Sequence, residues 1–226
     1  MQIYEQLWDE AVRAFERGEP QIDSHLSDKG NDLRRGVTLI FRPSPFVRDA
    51  VANFTRQLGA VCADQYFYRP EELHVTVLSV ISGTAFWQSE FERIADCRPI
   101  INDVLRYHRC FKIRFRGVTA SPASVMIQGF PTDDGLAAIR EDLRTAFTEK
   151  GLGDMPDRRY KIAGAHMTVM RFRKPCADCK GLLAFLKEHR EMDFGESEVA
   201  NIQLTLADWY SSAETIQTLE EYDFRT

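Results

Sequence analysis

His74-Val75-Thr76-Val77 and His166-Met167-Thr168-Val169 are one pattern written twice: histidine, any residue, threonine, apolar residue. Side chains in a strand alternate between faces. In each copy, therefore, the histidine and threonine share one face and the two apolar residues share the other. Imidazoles titrate near neutrality, so one can take a proton while a second gives one. Threonine hydroxyls can donate to the non-bridging oxygens of a phosphate as charge develops there. Two such strands related by a pseudo-two-fold axis would gather His74, Thr76, His166 and Thr168 around one cleft, an arrangement suited to in-line attack on a phosphodiester. No carboxylate cluster accompanies the histidines, as a metal site would need, so neither a metal nor another cofactor is expected. A lone strand histidine is more often a hydrogen-bonded core residue. The second copy, at an equivalent place in a repeat, argues against that reading for the pair.

The surroundings of the motif repeat too. Val37–Phe41 reads as a strand, Phe46–Cys62 as a helix, Gln65–Tyr68 and Leu73–Ile81 as strands, and about Ala85–His108 as mostly helical. Phe111–Arg116 alternates apolar and basic residues like a half-buried strand. In the second half Ser124–Phe130 is a strand, and Asp133–Lys150 is a helix with Asp133 or Thr132 as N-cap and Gly151 at its stop. Lys161–Phe172 is extended, Cys179–His189 helical, and Val199–Trp209 and Thr215–Phe224 form a hairpin. The expected fold class is α+β: an internally duplicated, two-lobed fold with antiparallel sheets flanked by helices around a central groove. We expect one domain, with an N-terminal helical extension over 1–35, lobe A over about 36–117 and lobe B over about 118–226. Tyr4, Leu7, Trp8, Ala11, Val12 and Phe15 make the first helix of that extension amphipathic, and Gln21–Arg35 reads as a polar loop.

With its two H-x-T-apolar motifs in a duplicated chain, the sequence resembles the two-histidine (2H) phosphoesterase superfamily, among them RNA 2′,3′-cyclic phosphodiesterases and 2′–5′ RNA ligase-like proteins. The resemblance covers about Val37 to Tyr210. It implies metal-independent opening of a 2′,3′-cyclic phosphate on a nucleotide or RNA end, with His74, Thr76, His166 and Thr168 as catalytic residues. The base role falls to His166 and the acid role to His74. The run His166-Met-Thr168-Val-Met-Arg171 also resembles the superfamily's H-x-T-apolar-x-R, whose arginine contacts phosphate or substrate. Strict alternation puts Arg171 on the opposite face from His166, so this role needs a bulge or the strand's end. Two other classes stay open: a non-catalytic nucleotide-binding module, and an RNA-end ligase or transferase of the same fold.

Tyr68 and Tyr160 stand just upstream of the two motifs, next to cationic residues, and are candidates to bind substrate by stacking a base; Trp209 and Tyr210 are weaker ones. Lys112, Arg114 and Arg116 share one strand face, read as a wet surface rather than a basic lip. Across 226 residues, 44% are hydrophobic and 28% charged, the mix of a globular protein with a real core. A net charge of −5 disfavours a grip on long duplex nucleic acid through the overall field. No apolar run is long enough to span a membrane. Five scattered cysteines do not suggest a disulfide framework. Cys176-Ala-Asp-Cys179 lacks the second pair a zinc site would need, and reads as a loop and helix start. His25, His108 and His189 show no partner pattern and are expected at the surface. The expectation is a cytoplasmic monomer acting on a nucleotide cyclic phosphate or a short RNA end.

Overall fold

From its N-terminus the chain forms α1 (Gln2–Glu16), β1 (Arg35–Phe41), α2 (Pro45–Val61), β2 (Tyr66–Phe67), β3 (Val75–Thr84), α3 (Trp87–Phe91), α4 (Ile94–Leu105) and β4 (Phe111–Ser121). There follow β5 (Ser124–Pro131), α5 (Gly135–Glu149), β6 (Met167–Arg171), α6 (Cys179–Glu188), β7 (Asp193–Val199), β8 (Asn201–Asp208) and β9 (Gln217–Asp223). This computed structural model describes residues 2–224; residues 1, 225 and 226, at the ends of the expected extension and second lobe, lie outside the described residues.

Local chemistry accounts for these elements. The Ser44 side chain accepts a hydrogen bond from the Val47 amide and Pro45 stands in the first helical turn, so α2 begins where a capped helix can. Its buried face is Val47, Val51, Phe54 and Leu58, spaced at helical periodicity. In β4, Phe111, Ile113 and Phe115 are buried while Lys112, Arg114 and Arg116 are exposed, the period of two read from the sequence. Those three cations pair with Glu196, Asp193 and Glu191, two on neighbouring β7 and one just before it, as a solvated face does. α5 starts after Asp134, one or two residues later than expected; Asp133 accepts from the Gly135 amide just outside the helix.

Both sheets are antiparallel, as expected, with strand orders β3-β1-β8-β9 and β2-β6-β5-β4-β7. The sheets do not follow the two sequence halves at about residue 117. β8 and β9, late in the chain, complete the sheet of the first motif, whereas β2 and β4 belong to the sheet of the second. β7 is a strand the sequence reading left out; its alternation of Phe194, Ser197 and Val199 with exposed acids is short and polar. The expected polar loop after α1 holds a 3₁₀ segment, Ser24–Asn31, capped by Asp23. Two histidines expected at the surface are tucked in instead. His189 Nδ1 donates to the Phe185 carbonyl at 2.8 Å and the ring packs on the Phe185 and Phe54 rings, and His108 is half-buried against Asp142 on α5. Apolar faces of both sheets and of the helices share one core. Among the described residues, no helix is long and apolar enough to cross a membrane.

Candidate active site

A cleft of about 180 Å³ opens between the sheets, lined by His74, Thr76, His166 and Thr168 together with Ser79 and Arg171. Each histidine stands one residue before a strand, β3 or β6. Leu73, Val75 and Val77 are buried around the half-buried His74 and Thr76. Ala165, Met167 and Val169 are likewise buried around His166 and Thr168.

Arg171 reaches this cleft through a bulge. β5 pairs Val125 with Met170 and Met126 with Thr168, so Val169 is an extra residue. The insertion reverses the alternation and returns Arg171 to the face of His166 and Thr168. The first half carries the same device. β1 pairs Leu39 with Leu78 and Ile40 with Thr76, leaving Val77 extra and turning Ser79 inward. Ser79 thus holds the place in the first half that Arg171 holds in the second. The sequence reading missed it, because a bulge is set by pairing register.

The two imidazoles have different neighbours. His74 Nδ1 lies 2.7 Å from the Glu72 carbonyl. A carbonyl only accepts, so this nitrogen carries the proton and Nε2 is left for the cleft. Burial lowers the His74 pKa; the Glu72 bond opposes this, and the Arg42 and Arg171 charges add to it. The His166 ring makes no hydrogen bond to the described residues. Burial, with Arg171, Arg140 and His74 adding in the same direction, pushes its pKa down to about 4. At neutral pH it is an uncharged imidazole.

Arg140 was also missed. It is only 4% exposed, yet its guanidinium donates to four carbonyls. Nε reaches Val77 at 2.9 Å and Nη2 reaches Thr76 at 2.8 Å; Nη1 reaches Ala163 at 2.9 Å and Nη2 also reaches Gly164 at 2.8 Å. One side chain therefore ties the backbone of the first motif to the approach of the second. Burial lowers its pKa to about 10, so it stays charged at pH 7. A signal was present in the sequence: with Leu136, Ile139, Leu143 and Phe147 it occupies the buried stripe of α5.

Tyr68 and Tyr160 both line the cleft, in different ways. Tyr68 is 5% exposed, and its hydroxyl accepts from Arg171 Nε at 2.9 Å, so it meets the cleft by fixing the arginine. Tyr160, on the loop before β6, is 69% exposed at the mouth. Asp157 anchors that loop: its amide donates to Ser79 O at 2.8 Å, and its carboxylate accepts from Arg144 and from the Ile162 amide. Trp209 and Tyr210 also line the cleft. Arg159 and Arg34 lie over the Trp209 ring, with centroid distances of 4.5 and 4.7 Å. Gly83 leaves room for that ring, since a Cβ there would come within 2.8 Å of it. No group of three or more His, Cys, Asp or Glu among the described residues is placed to hold a metal ion. Cys176 lies before α6 and Cys179 opens it, with the Cys176 sulfur 3.6 Å from that of Cys62.

Two antiparallel sheets around a cleft of this kind go with the 2H phosphoesterase superfamily, whose members are phosphoesterase and ligase-like enzymes acting on nucleotides or RNA. Within it, the chain belongs to the family of the AKAP7 2′5′ RNA ligase-like domain, whose model matches residues 43–221. The fold is similar to TT0787 of Thermus thermophilus, with a TM-score of 0.62 at 18% identity over 85% of this chain and 98% of that one. E. coli LigT complexed with 3′-AMP gives a TM-score of 0.57 at 9% identity over 85% and 99%. E. coli LigT complexed with ATP gives 0.56 at 9% identity over the same shares. No curated protein sequence matches significantly.

Proposed function

We propose that this protein opens 2′,3′-cyclic phosphates on a nucleotide or RNA end without a metal, using His166 as base and His74 as acid. The observation that carries this reading is the convergence of His74, Thr76, His166, Thr168 and Arg171 on one cleft. His166, neutral at pH 7, takes a proton from water as the oxygen attacks phosphorus. One P–O bond to ribose breaks, and His74, which enters the step protonated on both nitrogens with its Nδ1–H held by the Glu72 carbonyl, delivers its Nε2 proton to the departing ribose oxygen, giving a phosphate monoester. Thr76 and Thr168 donate to the non-bridging oxygens, and Arg171, steadied by Tyr68, balances their charge. Two environments that treat the imidazole pair unequally support the division of roles: only His74 has a carbonyl partner that favours its charged form. Tyr160 at the mouth is placed to meet the base. The same reading takes the protein as a one-domain cytoplasmic monomer.

The test is a panel of 2′,3′-cyclic nucleotides, ADP-ribose cyclic phosphate and cyclic-phosphate RNA ends, scored for monophosphate product with EDTA present. Turnover undiminished by EDTA is expected. Loss on chelation, restored by Zn²⁺ or Mn²⁺, moves the protein to another mechanism. Binding of nucleotide with no turnover of any member makes it a binding module.

A further inference from the structure

Tyr4 comes from α1, outside the residues that match the family model, and still ends beside the second motif. It is 3% exposed. Its hydroxyl donates to the Gly129 carbonyl at 3.1 Å and accepts from the Ala165 amide at 2.9 Å, so both hydrogen-bonding capacities of the phenol are used. The two backbone groups it joins hold a particular place. β5 and β6 pair as far as Ile127 opposite Met167. Continuing that register by two residues sets Gly129 opposite Ala165, where β6 has not yet begun. There the Tyr4 hydroxyl joins the Gly129 carbonyl to the Ala165 amide, one residue before His166. Gly129 makes the approach possible, because a Cβ there would fall 2.0 Å from the Ala165 carbonyl oxygen.

The ring adds a second contact. Its centroid lies 6.5 Å from that of His166 in an edge-on arrangement of 83°. α1 is itself pinned. Thr119 donates to the Tyr4 carbonyl at 3.1 Å; Arg190 pairs with Glu5 at 2.9 Å and lies over the Trp8 ring at 4.3 Å. His74 has a carbonyl holding its ring directly, whereas the aim of His166 depends on its backbone and on packing.

We propose that Tyr4 is a positioning residue for His166: its hydroxyl ties the Ala165 amide to β5 and its ring edge limits the imidazole's swing, so that α1 finishes the second half of the cleft. This rests on the reading of His166 as the proton-transferring group. Tyr4→Phe removes the bridge and keeps the ring. Glu5→Gln loosens α1 without touching the bridge and serves as the control.

Two NMR measurements need no turnover. In the native protein the Ala165 amide should exchange as slowly as that of Met167, although it lies before the strand. In Tyr4→Phe it should exchange about tenfold faster, the loss of one ordinary hydrogen bond. The His166 ring signals should move while those of His74 stay. On a 2′,3′-cyclic nucleotide, Tyr4→Phe should lower kcat about tenfold with KM within twofold, less than the hundredfold a 1 Å misplacement can cost. Glu5→Gln should match the native protein throughout. An Ala165 amide that exchanges like a loop in the native protein overturns the proposal, as do unmoved His166 signals in Tyr4→Phe. Equal losses in Tyr4→Phe and Glu5→Gln overturn it too, by making the role general packing. Absence of native turnover with the NMR results as expected defeats the catalytic reading and leaves Tyr4 as the support of the His166 ring.

Discussion

The two halves of the cleft share a motif and a bulge but differ in what surrounds them. In the first half the histidine is tethered by the Glu72 carbonyl, and the bulge turns Ser79 inward. In the second the histidine ring has only packing around it, and the bulge turns Arg171 inward, with Tyr68 holding it. A backbone can thus be nearly symmetric while its chemistry is not. The hydrogen-bond partner decides which imidazole holds a proton more readily, and the inward residue decides which side carries a cation.

The harshest way to break this comparison is to remove each imidazole. His74→Ala and His166→Ala should each lower kcat by about 10²–10⁴-fold on a 2′,3′-cyclic nucleotide, the range for a positioned acid or base. The double variant should lose far less than the product of the two, since both act in one step. Wild-type turnover in either single variant would remove that histidine from the chemistry.

Stability gives the next contrast. His166 has its pKa lowered from 6.5 to about 4, so protonation favours the unfolded chain. Its contribution is fully present above pH 6.5 and is lost as pH falls toward 4, about 3 kcal/mol across that window. His74 adds a slope of the same sign. Urea unfolding at a series of pH values should show the native protein weakening between pH 6.5 and 4, and His166→Gln weakening distinctly less. Parallel curves would show that His166 keeps an ordinary pKa.

Arg171 against Ser79 tests the asymmetry at the bulges. Arg171→Met should raise KM about ten- to a hundredfold, the loss of a charge-assisted contact to phosphate. It should also move the acidic limb of the kcat/KM profile upward, because the Arg171 charge helps hold both imidazoles down. Ser79→Ala, at the matching place, should change KM by no more than about threefold, within the worth of one neutral hydrogen bond. Equal effects at the two positions would make the halves functionally equivalent.

Much of this was legible in the chain. The motif, the amphipathic helices and the alternating strands follow from residue type and short-range period, which is why Val75, Val77, Met167 and Val169 are buried where expected. Arg171 shows where such reading stops: its face depends on whether Val169 pairs, and pairing is a property of two strands. Strand exchange was hidden for the same reason, because the β8–β9 hairpin is local and its choice of sheet is not. Arg140 and Tyr4 look like ordinary members of helix stripes. Their roles come from backbone groups that folding brings to them from 63 and 161 positions away.

The exchange of strands also has a consequence for how the protein is made. β1 lies between β3 and β8, and β8 leaves the ribosome after every strand and helix described above except β9. Until residues 201–208 emerge, β1 offers an unpaired edge, the kind of surface that recruits wrong partners. Closing the sheet then joins segments separated by most of the chain, a slow step by its topology. A product released short of β8 would keep both histidines but lack the strand that flanks β1 in the His74 sheet, together with Trp209 and Tyr210 on the cleft wall. The cleft as described is therefore walled in only once residues 207–211 have been synthesised.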